Sequence, residues 1–196
     1  MKVLIVVDMQ NDFINGSLGT PEAQAIVPLV CETIEQMANK DTVILFTRDT
    51  HPENYMDTLE GKNLPVPHCI QNTSGWDINA DVLAAFADNK EKYCTVASFL
   101  PYCVDHIIDK PTFGSTALQN VLYALDEYRN SPGGEVEEIT LMGLCTDICV
   151  LSNAILAKAT LPEVSVNVIA DCCAGVTPES HTRALEAMKM CQINII

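Results

Sequence analysis

The feature that most constrains the fold of this chain is a regular alternation of short apolar runs with amphipathic segments. Six runs have the length and the composition of strands that are buried on both faces: residues 2–7, 42–47, 104–108, 139–143, 164–170 and 193–196. Crossover connections between parallel strands place helices on both faces of the sheet. We therefore predict a three-layer α/β/α protein with a central, mostly parallel sheet of about six strands.

Three amphipathic segments predict helices that cover this sheet. Residues 27–37 carry Pro28 in the first turn, where proline is tolerated. Residues 115–128 place their apolar side chains on one face. In the last segment Thr177 is a typical helix cap, and the helix that it starts runs to about residue 190.

One long segment, from about residue 50 to residue 77, fits neither pattern. It is polar and is broken by Pro52, Gly61, Pro65, Pro67 and Gly75. A loop of this length inside a compact domain usually serves a function. No repeat or linker divides the chain, so we predict one domain, residues 1–196, in which this loop forms a metal site or a lid.

Charge and cysteine content restrict the compartment and the partners. The 196 residues carry a formal net charge of −15, which disfavours binding to nucleic acid and to anionic membranes. The sequence shows no apolar stretch long enough to cross a bilayer and no secretory signal. Nine cysteines, an odd number in a chain of this length, indicate a reduced cytoplasmic protein rather than a disulfide scaffold.

Charged or nucleophilic residues follow four of the predicted strands. Asp8 follows the first, Asp49 the second, Lys110 the third, and Cys145 and Cys149 the fourth. Ligands of open parallel sheets bind outside the carboxyl ends of the strands. The topology therefore predicts that these side chains meet at one edge, although a single aspartate at a strand end is common because aspartate favours turns.

The segment GLCTDICV, residues 143–150, allows three interpretations of Cys145 and Cys149: a metal clip, a disulfide or a nucleophile. A clip lacks a second ligand pair, and a reduced compartment disfavours a disulfide. If Thr146 caps a helix over residues 147–159, Cys149 lies near the third helical position, where free N–H groups and the helix dipole favour a thiolate. Two small buried cysteines at a tight turn are the plain alternative.

A nucleophilic cysteine needs a base and a group that stabilises developing charge. None of the four histidines is tied to Cys149 by an obvious pattern, so a Cys–His pair is not indicated. Asp8 is the candidate proton acceptor, and Lys110 is the candidate for stabilising negative charge. A structural ion pair at a strand end is the alternative interpretation of these two residues.

A metal centre is a second candidate site. Asp49 and His51 stand two residues apart at a strand exit, and His68 follows in the long loop. One carboxylate and two imidazoles suit Zn²⁺, Fe²⁺ or Mn²⁺ with positions open for water or substrate. A histidine in a loop is more often only solvated, and we interpret the other two, His106 and His181, as structural.

Taken together, these segments resemble the isochorismatase-like superfamily of cysteine hydrolases and, within it, the nicotinamidases. The resemblance runs from end to end of the chain. The segments that carry it are VDMQNDF (7–13), TRDTHP (47–52), PHC (67–69), KPTFGST (110–116), GLCTDICV (143–150), DCCAG (171–175) and SH (180–181).

The resemblance implies a catalytic role for each candidate. Cys149 would be the nucleophile, Asp8 the general base and Lys110 the third member of the triad. A cis peptide between Leu144 and Cys145 is also implied, which would aim the N–H of Cys145, with that of Cys149, at an oxyanion. The expected reaction is hydrolysis of nicotinamide to nicotinate and ammonia through a cysteine thioester.

The resemblance also implies a cofactor and an assembly. Asp49, His51 and His68 would hold one divalent metal ion, zinc or else iron or manganese, which takes the pyridine nitrogen of the substrate. Homo-oligomers are common in the superfamily, so a homo-oligomer is expected here.

The expected substrate pocket departs from the pattern of the nicotinamidases. These enzymes often carry an aromatic residue just before the second metal histidine, whereas residues 64–67 here are LPVP. Phe13 is expected to form one wall, and Tyr55, Trp76 or Phe113 another.

Two other functions stay open at the level of the sequence. One is a related cysteine amidase or carbamoyl hydrolase that acts on another small amide, although such relatives generally lack both metal histidines. The other is a non-enzymatic protein that binds metal or thiols. A protein that only binds metal or thiols would have no role for Asp8 and Lys110.

Overall fold

Six parallel strands form one sheet in this computed structural model, which describes residues 1–94, 102–127 and 135–196. The strands are β1 (Lys2–Val7), β2 (Thr42–Asp49), β3 (Ile107–Lys110), β4 (Glu138–Leu144), β5 (Ser165–Ala174) and β6 (Asn194–Ile195). Their order is β3-β2-β1-β4-β5-β6, and every neighbouring pair is parallel. The predicted α/β fold with a six-stranded sheet is confirmed.

The longer helices pack on this sheet and complete its core. The helices of the described residues are α1 (Asn11–Ile14), α2 (Pro21–Gln36), α3 (Leu59–Asn63), α4 (Ala80–Ala87), α5 (Thr116–Glu127), α6 (Leu151–Thr160) and α7 (Pro178–Met190). α2 packs against α4 and β5, while α6 packs against α5, α7 and β5. The apolar residues of the central strands β1 and β2 are fully buried, as their unbroken apolar sequences predict. No helix within the described ranges is long and apolar enough to span a membrane.

The first long helix, α2, begins earlier than predicted. Its N-cap is Thr20, whose hydroxyl oxygen accepts a hydrogen bond of 3.0 Å from the backbone N–H of Ala23. Pro21 follows in the first turn, where its missing N–H costs nothing. The predicted start at residue 27 is therefore wrong, and Pro28 lies inside the helix rather than in its first turn.

The other helices agree with their predictions to different degrees. Thr177 caps α7 as predicted and accepts a hydrogen bond of 3.1 Å from the N–H of Ser180. α5 also lies where predicted, with residue 128 outside the described ranges. α4, which Asn79 caps, was not predicted, because its eight residues, ADVLAAFA, are too few for a helical period to be recognised in the sequence.

The third strand is shifted from its predicted position of residues 104–108. Val104 and Ile107 pair with each other across a turn in which Asp105 and His106 adopt positive φ angles of 49° and 70°. The strand therefore starts at Ile107 and ends on Lys110, which is paired in register with Asp49 of β2. This shift makes Lys110 the last residue of a strand rather than part of the following loop.

The sheet topology determines where a ligand binds. The chain passes from β1 outward to β2 and β3, then returns to β4 beside β1 and passes outward in the other direction. In such doubly wound sheets, the crevice at this reversal, outside the carboxyl ends of the strands, is the binding site. Here the reversal lies between the ends of β1 and β4, which lead into Asp8 and Cys145.

Gly143 allows β1 and β4 to approach each other at this point. Its φ is +121°, which only glycine adopts readily. A Cβ atom at this position would lie 2.1 Å from the carbonyl oxygen of Val7 on the neighbouring strand. Backbone atoms occupy this space, so a side chain here is excluded on both conformational and steric grounds.

We predict that Gly143→Ala destabilises the fold by about 3 kcal/mol or more, because strain at φ and a backbone clash add together. Thermal unfolding of the purified variant measures the loss. Gly114→Ala is the matched control: its added methyl group meets the flexible end of the Leu156 side chain at 2.8 Å and Cβ of Ser152 at 3.4 Å, and no backbone atom is among these nearest contacts. Equal melting temperatures for Gly143→Ala and Gly114→Ala would contradict this account of the strand contact.

Candidate active site

A buried lysine connects the ends of four strands. The ammonium nitrogen of Lys110 lies 2.7 Å from Oδ2 of Asp8 and 3.3 Å from Oδ1 of Asp49. It also lies 3.5 Å from Sγ of Cys149 and donates to the carbonyl oxygen of Thr112 at 3.0 Å. The structure thus brings together the three residues expected to form a catalytic triad, Asp8, Lys110 and Cys149.

Asp8 occupies the centre of this group and is fully buried. Its Oδ1 accepts a hydrogen bond of 2.7 Å from the hydroxyl of Thr47. Burial raises the pKa of the Asp8 carboxyl, and the negative charge of Asp49 raises it further, against the opposing effect of Lys110. A carboxylate whose proton affinity is increased in this way is suited to accept a proton from a neighbouring thiol.

Burial and the neighbouring charges favour the thiol form of Cys149 over the thiolate in the free protein. Burial raises its pKa well above the usual value, and the negative charge of Asp8 adds to this effect, while Lys110 opposes it. This direction is opposite to the one expected from the start of the helix alone. The sulfur also lies next to the buried carboxyl of Asp8, the candidate proton acceptor.

The turn that carries Cys149 differs from the predicted helix start. Residues Thr146–Val150 form a π-helical turn before α6, and the N-cap is Cys145, whose backbone is extended. The prediction that Thr146 is the cap is wrong, because Thr146 already has helical backbone geometry. Its hydroxyl pairs with Nδ1 of His181 at 2.8 Å, which joins this turn to α7.

The π-helical turn places backbone N–H donors beside the sulfur. The carbonyl oxygen of Cys145 accepts from the N–H groups of Ile148 at 3.1 Å and Val150 at 3.0 Å, and not from the N–H of Cys149. The Leu144–Cys145 peptide bond is cis, as the resemblance implies. An oxyanion requires N–H donors, and those of Cys145 and Cys149 are the candidates.

Four side chains converge at a second point: the three predicted ligands, Asp49, His51 and His68, and a fourth residue, Glu60, from α3. One ligand atom from each lies within 4.8 Å of all the others. Nε2 of His51 is 3.0 Å from Oδ2 of Asp49, and Nε2 of His68 is 3.6 Å from the same oxygen. Oε1 of Glu60 is 3.6 Å from Nε2 of His51 and 3.8 Å from that of His68.

The chemistry of this cluster fits a divalent cation. Nδ1 of His68 lies 2.8 Å from the carbonyl oxygen of Val66; a carbonyl only accepts, so Nδ1 carries a proton and Nε2 is the ring nitrogen that can face a metal. Burial acts to raise the pKa of Asp49, but the neighbouring His51 and His68 and the charge of Lys110 outweigh it and hold that pKa below its usual value. Two imidazoles and two carboxylates suit zinc, iron or manganese.

Sequence reasoning missed Glu60 because the long loop contains other carboxylates. Glu53 and Asp57 lie between His51 and Glu60, and spacing alone does not distinguish the three. The distinction is made by α3, whose N-cap Thr58 accepts from the N–H of Gly61 at 3.0 Å. This short helix directs Glu60 toward the histidines.

A cavity of about 280 Å³ lies between the sulfur and the four-residue cluster. Its wall includes Asp49, Glu60 and His68 from the cluster, and Cys145 and Cys149 from the π-helical turn. The rest of the wall is largely apolar and comprises Phe13, Leu18, Thr20, Ala23, Leu64, Phe113, Leu144, Ile148, Gly175 and Val176. Such a space suits a small, flat, largely apolar molecule with polar groups at both ends.

The aromatic residues expected in the pocket divide into two groups. Phe13 and Phe113 line the cavity. Trp76 does not: its indole Nε1 donates to the hydroxyl of Thr50 at 2.8 Å, and the Arg48 guanidinium lies 3.5 Å from the centre of its ring. Tyr55 packs behind the metal cluster, with its ring 4.8 Å from His51 and 5.1 Å from His68 between centroids.

The chain matches the isochorismatase domain over residues 2–93 and 84–196, which together cover nearly all of it. This chain belongs to the isochorismatase family. The match covers both the triad side and the cluster side of the cavity.

Several relatives in this family are similar over their full length. The nicotinamidase/pyrazinamidase of Mycobacterium tuberculosis is 27% identical, with 100% of this chain and 98% of that protein covered. The pyrazinamidase of Pyrococcus horikoshii, solved in complex with zinc, has a TM-score of 0.70 at 29% identity, covering 100% of this chain and 98% of that one. The pyrazinamidase/nicotinamidase of Streptococcus mutans has a TM-score of 0.76 at 25% identity, covering 100% of both.

We predict that iodoacetamide modifies Cys149 slowly at neutral pH and that the rate is still rising above pH 9. The thiolate is the reactive form, and a raised pKa means that its fraction continues to increase beyond the ordinary value of 9.0. Peptide mapping by mass spectrometry at a series of pH values measures this rate. The exposed Cys191 in the same sample is the internal control for the activity of the reagent at each pH. Fast modification of Cys149 at pH 7 with no further rise would contradict the thiol assignment.

Proposed function

We propose that this protein is a nicotinamidase, which hydrolyses nicotinamide to nicotinate and ammonia through a thioester on Cys149. The observation that carries the proposal is that a small cavity has Cys149, backed by Asp8 and Lys110, at one end and the cluster of Asp49, Glu60 and His68 at the other. The names of the compared relatives agree with this substrate class.

Proton transfer to and from Asp8 connects the two halves of the proposed reaction. Asp8 takes the thiol proton, and Sγ of Cys149 attacks the carboxamide carbon. The oxyanion accepts hydrogen bonds from the N–H groups of Cys145 and Cys149. Asp8 then returns the proton to the amide nitrogen, the C–N bond breaks and ammonia leaves. Asp8 next removes a proton from water, and the hydroxide attacks the thioester carbon. The C–S bond breaks, Asp8 returns that proton to the sulfur, and the acid product loses its own proton to solvent and leaves as nicotinate.

Lys110 has a supporting role in this scheme. Its ammonium touches both Asp8 and Cys149, so it keeps Asp8 oriented and offsets the negative charge as that charge moves between oxygen and sulfur. Its own proton is held firmly, because the negative charge of Asp8 overcomes the effect of burial and raises the pKa of Lys110. Lys110 is thus a fixed positive charge and not a proton donor.

Asp49, His51, Glu60 and His68 would hold one divalent cation, with zinc the preferred candidate. When bound, the cation supplies a Lewis-acid position for the lone pair of a ring nitrogen. Phe13 and Phe113 line the space between this position and the sulfur and would contact the ring.

A related cysteine amidase that acts on another small amide is the second candidate. Leu64, and no aromatic side chain, comes from the loop segment before His68 to line the cavity, so the ring contact expected of many nicotinamidases is absent there. A purely metal- or thiol-binding protein is less well supported, because it would not need Asp8 and Lys110 behind the sulfur. Assembly into a homo-oligomer and a cytoplasmic location stay predictions.

We predict that Cys149→Ala lowers the turnover of nicotinamide by ~10⁴-fold or more, since the covalent step is lost while the oxyanion donors and cavity are kept. Ammonia release by the purified variant measures this loss. Thr73→Ala, which removes a hydroxyl that donates to the carbonyl of Ile70 at an exposed turn, is the control and should retain activity. Turnover of Cys149→Ala near that of the wild type would rule out the thioester.

We predict that a metal chelator abolishes ammonia release from nicotinamide and that added zinc restores it. The reason is that the proposed ligands face the same cavity as the sulfur. The assay compares untreated, chelated and zinc-supplemented protein on nicotinamide and on an aliphatic amide of similar size. Activity on nicotinamide that is indifferent to chelation contradicts the metal role, and activity on the aliphatic amide alone supports the second candidate.

A further inference from the structure

Gln10 is a fully buried amide next to the active site, and its side chain makes three hydrogen bonds. Its Nε2 donates to the carbonyl oxygen of Asp49 at 2.8 Å, and its Oε1 accepts from the N–H of Asp49 at 2.7 Å. Nε2 also donates to the carbonyl oxygen of Trp76 at 2.9 Å. Both backbone polar groups of Asp49 are therefore held by one side chain.

The hydrogen bonds between Gln10 and Asp49 take the place of backbone pairing between β1 and β2. β1 and β2 pair up to Val7 and Thr47, and the N–H of Asp8 still donates to the carbonyl of Thr47 at 3.2 Å. Asp8 then adopts a φ of 47°, and β1 turns away before it reaches the level of Asp49. A side-chain amide offers the same donor and acceptor as a peptide unit. Gln10 thus extends the hydrogen-bond ladder by one residue.

Asp49 needs this support because its two carboxylate oxygens have different partners. Oδ1 lies 3.3 Å from the ammonium of Lys110, while Oδ2 lies 3.0 Å from Nε2 of His51 and 3.6 Å from Nε2 of His68. A small rotation or shift of the residue would lengthen both sets of contacts. The long loop also contains His51 and His68. The hydrogen bond from Gln10 to the carbonyl of Trp76 attaches the far end of this loop to the same side chain that holds Asp49.

We propose that Gln10 is a positioning residue for Asp49, which holds the strand end so that one carboxylate serves the metal cluster and Lys110 at the same time. The proposal rests on the metal role of Asp49 in the proposed function. It predicts that loss of the Gln10 amide weakens metal binding, and not only the stability of the fold.

Asn153 provides a matched control on the opposite side of the cavity. It is also fully buried and also makes three hydrogen bonds. Its Oδ1 accepts from the N–H of Ser115 at 2.9 Å, and its Nδ2 donates to the carbonyls of Cys149 at 2.8 Å and Phe113 at 3.1 Å. These bonds join the nucleophile turn to the lysine segment and do not touch the metal cluster.

The experiment compares Gln10→Met with Asn153→Leu, since each change replaces the amide by an apolar side chain of similar size and removes three hydrogen bonds. Zinc affinity is measured by competition with a chromophoric chelator, and stability by thermal unfolding without zinc. Both variants should unfold at lower temperature than the wild type. Only Gln10→Met should lose zinc affinity, by ~10-fold or more, as is typical when a residue that orients a ligand is removed; Asn153→Leu should stay within about threefold.

A milder variant covers the case in which Gln10→Met does not fold. Gln10→Asn keeps an amide that is one carbon too short to reach both groups of Asp49, so it should show the same loss of zinc affinity. A folded Gln10 variant with wild-type zinc affinity overturns the proposal, as does an equal loss in Asn153→Leu. Failure of this proposal can be distinguished from failure of the proposed function. If the proposed function is wrong, the wild type does not hydrolyse nicotinamide, whatever the zinc affinities of the variants and the wild type are.

Discussion

The buried ammonium of Lys110 is the interaction on which the rest of the site depends. A charge removed from water costs several kcal/mol unless it is paired and hydrogen-bonded, and Lys110 is only 1% exposed. It is compensated by Asp8, Asp49 and the carbonyl of Thr112. Because these partners come from different strand ends, the cation can be buried only when the strands are assembled in this order. The same contacts bring Cys149 and the metal-binding cluster to one cavity.

The relative sizes of two electrostatic effects explain the protonation of Cys149. A helix start stabilises a negative charge by about 0.3–1 kcal/mol, rarely ~2, whereas burying an unpaired ion costs several kcal/mol. Cys149 is 5% exposed and faces the carboxylate of Asp8, so burial and repulsion dominate. In the proposed reaction, a thiol beside a buried base avoids a permanently charged sulfur and becomes the nucleophile when its proton moves to Asp8.

The sequence predicts those parts of this structure that depend on local patterns. Apolar runs predicted six strands, of which only the third is clearly shifted, and the strand exits predicted that Asp8, Asp49 and Lys110 lie at one edge. Properties that depend on tertiary contacts could not be predicted from the sequence. Glu60 was missed because α3 alone distinguishes it from neighbouring carboxylates, and Trp76 was misplaced because its indole bonds Thr50 and stacks with Arg48. The thiolate was wrongly expected because burial cannot be read from a helix start.

The most direct test of the central claim is a crystal structure of the zinc-loaded protein with nicotinaldehyde, in which an aldehyde replaces the carboxamide of nicotinamide. Thiols add to aldehydes, so a competent Cys149 should trap the analogue where it would attack the amide. The account predicts a covalent bond from Sγ of Cys149 to the aldehyde carbon, with the ring nitrogen directed at the metal held by Asp49, His51, Glu60 and His68. An analogue bound away from Cys149, or with its ring nitrogen directed away from that cluster, would contradict it.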